Sequence, residues 1–292
     1  MNIQEAISLI SQNPDYKIMT KFSGLPPVYC APVPDDRIFK VCFLDTETTS
    51  LDTSSCKVID LAMRVVEFGS DGRLFSVGEP YQEFNDPGEP LSEDVKAVTG
   101  YTDEMLAGKS IDWVEVANIV SDCALVVAYN SQYDRPVLER FCPLFSELNW
   151  GCAMVDVDWF ELFGTKGKLE WLAYKVEGLF FEAHQAIADV DIMIHMLSIL
   201  QPGTEKTVFS QILEQARQKR FRLRAVGAPF DSKDDLKKNG YKWEDDGFKP
   251  KAWCKTVDET KLSDELEYLA TIGCRNPATS PVSPKDRFTD RA

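Results

Sequence analysis

VCFLDTETTSLD, residues 41–52, decides the fold. Four apolar or nearly apolar residues, Val41 to Leu44, run straight into Asp45 and then Glu47. A continuous apolar run of this length suits a strand covered on both faces. Residues two apart on a strand share a face, so the two carboxylates stand side by side. Like charges at that spacing repel, and burying them unpaired is costly. The pattern therefore asks for a cation that the chain does not encode, and a metal ion is the first candidate.

Outward from this strand the chain reads as an α/β unit. KVIDLAMRVVEF and RLFSVGEPYQEF supply two more strand-like segments, separated by the turn signal GSDGR. PLSEDVKAVTG reads as a short helix capped by Ser92 and stopped by Gly100, and SIDWVEVANIVSD as another with a serine start. ALVVAY is a further buried strand, DRPVLERFC a helix, CAMVDV a strand and KLEWLAYKV a helix. AHQAIADVDIMIHMLSIL closes the body as an apolar helix ended by Pro202-Gly203. Three strands, helices, strand, helix, strand, helices is the order of a mixed sheet flanked by helices.

Charge is unevenly spread. Of the net −15, residues 1–203 carry 14 basic against 32 acidic residues, whereas residues 204–256 carry 13 against 8. An acidic body is a poor match for a protein that coats nucleic acid by counterion release. It permits an enzyme that grips a strand end and brings its own divalent ions. The basic run RQKRFRLR, residues 217–224, is the place where a phosphate backbone would be attracted. Eight cysteines without a CxxC pair match neither zinc spacing nor a secreted disulfide scaffold, and read as reduced core residues. MNIQEAISLISQ lacks the pattern of a signal peptide, and no apolar run is long enough for a membrane helix. These features predict a cytoplasmic protein with no membrane association.

Two further acids sit in settings comparable to Asp45 and Glu47. Asp134, in VVAYNSQYDRPVLER, follows a buried strand where a helix begins; Asp189, in EAHQAIADVDIMIHML, occupies the first turns of an apolar helix, close along the chain to His184. Four carboxylates meeting at strand ends would hold two divalent ions about 4 Å apart, the common arrangement for phosphodiester cleavage. Oxygen-only ligands favour Mg²⁺ or Mn²⁺ over zinc. A histidine nearby suits a general base.

With FLDTETTSLD, VVAYNSQYDRPVLE and HQAIADVDIMI in that order, residues 38–200 resemble the DEDDh branch of the DnaQ-like 3′–5′ exonucleases. The histidine five residues before the last acid matches the histidine branch rather than the tyrosine branch. The resemblance implies a ribonuclease-H-like mixed five-stranded sheet flanked by helices. It implies Asp45, Glu47, Asp134 and Asp189 as ligands of two Mg²⁺ or Mn²⁺ ions and His184 as the base. Thr48, Thr49 and Leu51 would contact the terminal nucleotide, with Leu51 as a wedge against the last base, and Asn130 and Tyr133 would shape the substrate groove or serve the turn. The family usually carries glycine where this chain has Ser50.

Bland roles stand beside these. Asp134 also reads as a helix cap, His184 as a structural histidine and His195 as core or rim. Asp156, Asp158 and Asp191 read as solvated or capping acids. Trp159, Phe160, Trp171, Phe180 and Phe181 read mostly as core, with base stacking as the alternative.

The chain divides in this reading into an N-terminal helix and proline-rich extension (1–37), the exonuclease domain (38–203), a basic accessory module (204–256), a short helix (257–273) and a disordered tail (274–292). The module, a small α+β unit, has Asp231 as helix cap, Gly240 as stop and a hairpin turned through Asp245-Asp246-Gly247. RAVGAPFDSKDDLKKNGYKWEDDGFKPKAWCKTV is similar to small domains found beside nucleic-acid enzymes. Trp243 and Trp253 suit either a nucleic-acid grip or a small core. The expected activity is release of nucleoside monophosphates from the 3′ end of single-stranded DNA or RNA. The rivals are a non-catalytic nucleic-acid or partner-binding module on the same fold, and an RNA-only trimming enzyme. A polymerase or other protein partner is left open.

Overall fold

The computed structural model describes residues 2–244 and 251–289. Two compact units emerge, Met1–Gln215 and Ala216–Ala292.

The first unit opens with α1 (Ile3–Ser11) and the two-residue β1 (Thr20–Lys21). Asn2 caps α1, its side chain accepting from Glu5 while Glu5 reaches back to the cap. Then come β2 (Ile38–Thr48), β3 (Val58–Gly69), β4 (Leu74–Val77) and β5 (Tyr81–Phe84). Helices α2 (Glu93–Thr99), α3 (Asp103–Leu106) and α4 (Trp113–Ser121) lead to β6 (Leu125–Ala128) and α5 (Ser131–Phe141). After β7 (Trp150–Cys152), α6 (Trp159–Phe163) and α7 (Leu169–Leu172), β8 (Leu179–Phe180) precedes α8 (Ala186–Ser198) and α9 (Phe209–Arg217).

The main sheet runs β4-β3-β2-β6-β7, with β5 also on β3. β2 is antiparallel to β3 and parallel to β6, and β6 is parallel to β7. The mixed sheet thus has six strands in five positions. The third strand-like segment breaks in two because Gly78 lies against β3: its N–H donates to the Val65 carbonyl at 2.8 Å, and a Cβ there would stand 2.9 Å from that oxygen. β4 and β5 therefore share one edge of β3 in succession. Val41 to Leu44 are fully buried, as a strand covered on both faces requires.

α8 packs across β2 and β3. Arg64 of β3 clamps it, with Nε 2.5 Å and Nη2 3.1 Å from the two Asp191 oxygens. Asp191 is thus a partly buried ion-pair partner, not a solvated acid. Asp156 is buried and accepts the Cys152 N–H, whereas Asp158 caps α6. The α4 cap is Asp112, which accepts from Val114 and Glu115, rather than the upstream serine, and β7 precedes the expected CAMVDV strand. His195 packs on Phe22, ring centroids 5.2 Å apart, and burial lowers its pKa.

The extension is not a free arm. β1 pairs with β8 in parallel, and Tyr29 and Val77 exchange backbone bonds with Phe75 and Pro27, covering the edge of β4. α9 completes the first core. Phe209 meets Phe43 and Phe68 edge-on, and Ile212 is buried.

The second unit contains β9 (Arg220–Arg224), α10 (Lys233–Lys238), β10 (Lys242–Glu244), β11 (Ala252–Asp258), α11 (Leu262–Thr271) and β12 (Ala278–Val282). Its antiparallel sheet runs β10-β11-β9-β12. The segment read as a disordered tail supplies β12, whose Ala278 to Val282 pair with Arg224 to Arg220. The physical reason is size. A unit of about fifty residues buries too little, and Leu269 of α11 and Cys274 complete a core with Leu223, Leu236, Tyr241 and Val257. Ser232 rather than Asp231 precedes α10, while Gly240 does end it in the left-handed conformation, φ +85°. The turn expected at Asp245-Asp246-Gly247 lies outside the described residues. All eight cysteines are free, and among the described residues no helix is long and apolar enough to cross a membrane.

Candidate active site

Asp45 and Glu47 leave β2 on one face, as strand alternation demands. In register, β6 ends level with Leu44 of its parallel neighbour β2, so Asp45 and Glu47 lie just past the end of β6, where α/β sheets place their ligand crevices. α5 follows β6 and carries Asp134 as its fourth residue; α8 carries Asp189 as its fourth. Both carboxylates lie in first turns, where the helix dipole favours negative charge.

One carboxylate oxygen from each of Asp45, Glu47 and Asp189 lies within 4.8 Å of the others. An oxygen-only set this tight fits a hard divalent cation. Asp134 is outside that trio. It is 3% exposed, accepts from Thr46 Oγ1 at 2.8 Å, and bears electrostatically on Asp45. It is not a cap, because the N-cap position of α5 belongs to Asn130, which makes no side-chain cap bond.

Electrostatics follow from the crowding. Burial, then the Asp134, Asp189, Glu47 and Asp60 carboxylates, push Asp45 well up. Burial and the Asp189, Asp60 and Asp134 charges push Glu47 up to about 8. Burial lifts Asp134 to about 7 against the lowering bond from Thr46, and lifts Asp189 to about 7 against the bond from the His184 backbone. A site strained this way by its own charge is relieved by cations.

His184 lies on the loop before α8 in the left-handed region, φ +63°, unusual for a residue with a side chain. Its backbone N–H donates to Asp189 Oδ2 at 2.8 Å, and its Nε2 stands 3.7 Å from Glu170 Oε1. A cavity of about 230 Å³ has Asp45, Glu47, Asp189 and His184 in its wall together with Tyr129, Lys168 and Glu170.

The turn after β2 is tied from both sides. Thr48 Oγ1 donates to the Ser50 carbonyl at 2.9 Å, Tyr133 Oη donates to the same carbonyl at 2.7 Å, and the two hydroxyls meet. Thr49 exchanges bonds with Lys57, through its backbone N–H and its Oγ1. Ser50 needs no glycine here, since His184 and Phe288 are the non-glycine residues with positive φ among those described. Leu51 projects into solvent, 89% exposed.

Asp60 was missed from sequence. It is fully buried on β3 opposite Glu47 and accepts from Tyr101 Oη at 2.6 Å, from Gln82 Nε2, and from the Ala186 N–H that begins α8 at 3.4 Å. Burial raises its pKa against those three bonds. An acid inside the apolar run VIDLAM was the available signal. Glu170 and Lys168, from the loop and first turn of α7, were not legible because only the fold brings them to the cavity.

Two further expectations change. Phe160, Trp171 and Phe180 are exposed, whereas Trp159 is core. The basic run is largely matched internally: Arg220 faces Asp258 at 3.3 Å, Lys219 faces Glu259 at 3.5 Å, and Arg222 pairs with Glu244. Trp253 packs on the second unit's core, while Trp243 stays half exposed.

The family model RNase_T, described as exonuclease, matches residues 42–197, more than half of the chain. The PolC-type DNA polymerase III of Halalkalibacterium halodurans is 29% identical over 178 residues, 56% of this chain and 12% of that protein. The PolC-type DNA polymerase III of Staphylococcus saprophyticus is 25% identical over 234 residues, 73% of this chain and 15% of that protein. The chain therefore spans a small fraction of the length of these relatives. A solved structure of exonuclease I is similar with a TM-score of 0.51 and 17% identity, covering 85% of this chain and 63% of that one. The zinc-bound complex of Escherichia coli exonuclease I with single-stranded DNA gives 0.50 and 15%, covering 87% and 67%. At these identities the likeness is one of fold.

Proposed function

The chain belongs to the RNase_T exonuclease family, and from that premise we propose that it removes nucleoside monophosphates from the 3′ end of single-stranded DNA or RNA. The observation that carries the reading is the convergence of Asp45, Glu47 and Asp189 within 4.8 Å, with Asp134 buried behind them. In this reading the four carboxylates hold two Mg²⁺ or Mn²⁺ ions. Bound there, the ions supply Lewis-acid activation of the attacking water and neutralise charge on the phosphate and the leaving 3′-oxygen.

The chain's own groups do the rest. His184 takes the proton of the attacking water, and Glu170, 3.7 Å from Nε2, offers a counter-charge to the imidazolium. The bond from the His184 backbone to Asp189 fixes that carboxylate, so the base and a ligand are oriented by one residue. Thr48, Thr49 and Leu51 meet the terminal nucleotide, Leu51 as an apolar wedge on a turn stiffened by Thr48 and Tyr133. Asn130 flanks the groove at the start of α5.

The test uses 5′-labelled single-stranded DNA and RNA of one sequence with Mg²⁺, Mn²⁺ or EDTA. Stepwise single-nucleotide shortening that EDTA stops is the expected result, and the faster substrate fixes the preferred sugar. Intact oligonucleotide in the presence of either metal defeats the proposal.

A further inference from the structure

Beside the acidic cavity lies a second, larger hollow of about 610 Å³, lined by Met19, Lys168, Glu170, Trp171 and Tyr174. Lys168 and Glu170 belong to the walls of both. The short helix α7 and the wide turn after it set this up. Leu169, Leu172 and Ala173 are buried inward, which turns Trp171 outward to 46% exposure. Burying so large an apolar ring would be favourable, and its exposure is the anomaly to explain.

The rings are held in place. Trp171 Nε1 donates to Thr165 Oγ1 at 3.0 Å, and the indole lies so close to Gly167 that a Cβ there would come within 3.3 Å of it. Tyr174 sits beside it, ring centroids 5.6 Å apart. Lys17 lies over the Tyr174 ring at 4.2 Å and donates to the Tyr174 carbonyl at 2.8 Å, while Lys175 lies over Trp171 at 4.7 Å. Three basic residues, Lys17, Lys168 and Lys175, meet here. Fixed aromatic faces interleaved with ammonium groups are what successive bases and phosphates of a single strand use. An apolar protein segment would gain nothing from the lysines.

We propose that this groove seats the nucleotides immediately upstream of the substrate's 3′ end, bases stacking on Trp171 and Tyr174 and phosphates meeting Lys168 and Lys175. The proposal deepens the exonuclease reading and rests on it for the direction of the strand.

The test separates the two. Affinity for fluorescein-labelled oligothymidylates of two and eight nucleotides is measured with Mg²⁺ in an Asp45→Asn background, and hydrolysis of thymidine 5′-p-nitrophenyl phosphate with Asp45 intact. Trp171→Ala/Tyr174→Ala should weaken octamer binding about tenfold or more, leave dimer binding within about twofold, and spare the small ester. Trp171→Phe should keep most of the affinity. Lys168→Gln/Lys175→Gln, both exposed positions, should reduce the salt slope by roughly one, and this pair carries the test if the aromatic variant melts early. Equal octamer affinity with unchanged salt slope, or no octamer binding by the parent, overturns the groove. If the parent binds the octamer but hydrolyses neither substrate, the exonuclease reading fails, and the groove stands if Trp171→Ala/Tyr174→Ala abolishes binding.

Discussion

Metal-free protein should lose stability as pH rises from about 6 to 8, and Glu47 sets the size of the effect. Its carboxyl, pushed up to about 8 by burial and by Asp189, Asp60 and Asp134, keeps its proton in the folded state where the unfolded chain has already released it. The folded state therefore binds more protons than the unfolded one between the ordinary carboxylate range and about pH 8. Stability is full below that window and falls as pH rises through it, by about 1.4 kcal/mol per pH unit for each such proton. Asp134 and Asp189, at about 7, add to the fall over the first part of the window. For a unit of this size each kcal/mol moves Tm by roughly 2–4 °C, so one proton alone predicts about 3–6 °C per pH unit. Solvent at the cavity mouth trims this, since Glu47 is partly exposed. Mg²⁺ should reverse the loss, stabilising more at pH 8 than at pH 6, because protons and cations compete for the same oxygens. Calorimetric Tm in EDTA and in Mg²⁺ across pH 5–9 measures both. The net charge of −15 gives a general pH slope of its own. The reference is therefore Glu47→Gln, which should flatten the EDTA profile and melt higher than the parent at pH 8. An EDTA profile as steep in Glu47→Gln as in the parent, or equal Mg²⁺ stabilisation at both pH values, refutes the reasoning.

Other outcomes are expected from the same structure. His184→Ala should lower turnover about 10²–10⁴-fold while keeping the Mg²⁺-dependent rise in Tm, and a lost rise would make His184 structural. Asp60→Asn should weaken metal affinity about tenfold or more without touching the ions, because Asp60 receives the Ala186 N–H at the start of the helix bearing Asp189; isothermal titration with Mn²⁺ checks it, and unchanged affinity excludes the role. Gly78→Ala should cost more than about 1 kcal/mol in urea unfolding, as its Cβ would sit 2.9 Å from the Val65 carbonyl. Asp189→Ala should abolish hydrolysis with the metal-free melt unchanged or raised, and retained hydrolysis would remove Asp189 from the ligand set.

The order of apolar runs and turn signals was sufficient for the mixed α/β sheet, because a both-face-buried strand such as Val41 to Leu44 has no helical alternative of that length followed by alternating acids. Local chemistry likewise made the Ser92 cap and the Gly100 stop of α2 legible. Asp45 and Glu47 declared themselves by two-residue alternation on one strand. What sequence left out depends on parts of the chain that never meet in one dimension. Asp60 reads as an accident in an apolar strand until Tyr101, Gln82 and Ala186 close around it. The internal pairing of Arg220 and Arg222 with Asp258 and Glu244 takes most of the promise out of a basic run that counting charges had favoured. The tail with little apolar content gained order only because β9 offered it a free edge, which no local pattern records. Trp171 looks like core by composition and faces outward because Leu169 and Leu172 claim the inward positions of the same short helix. Residue type and spacing determined the strand, its acids and the chemistry they invite; burial, and the partners it brings within hydrogen-bond reach, decided which groups share the site.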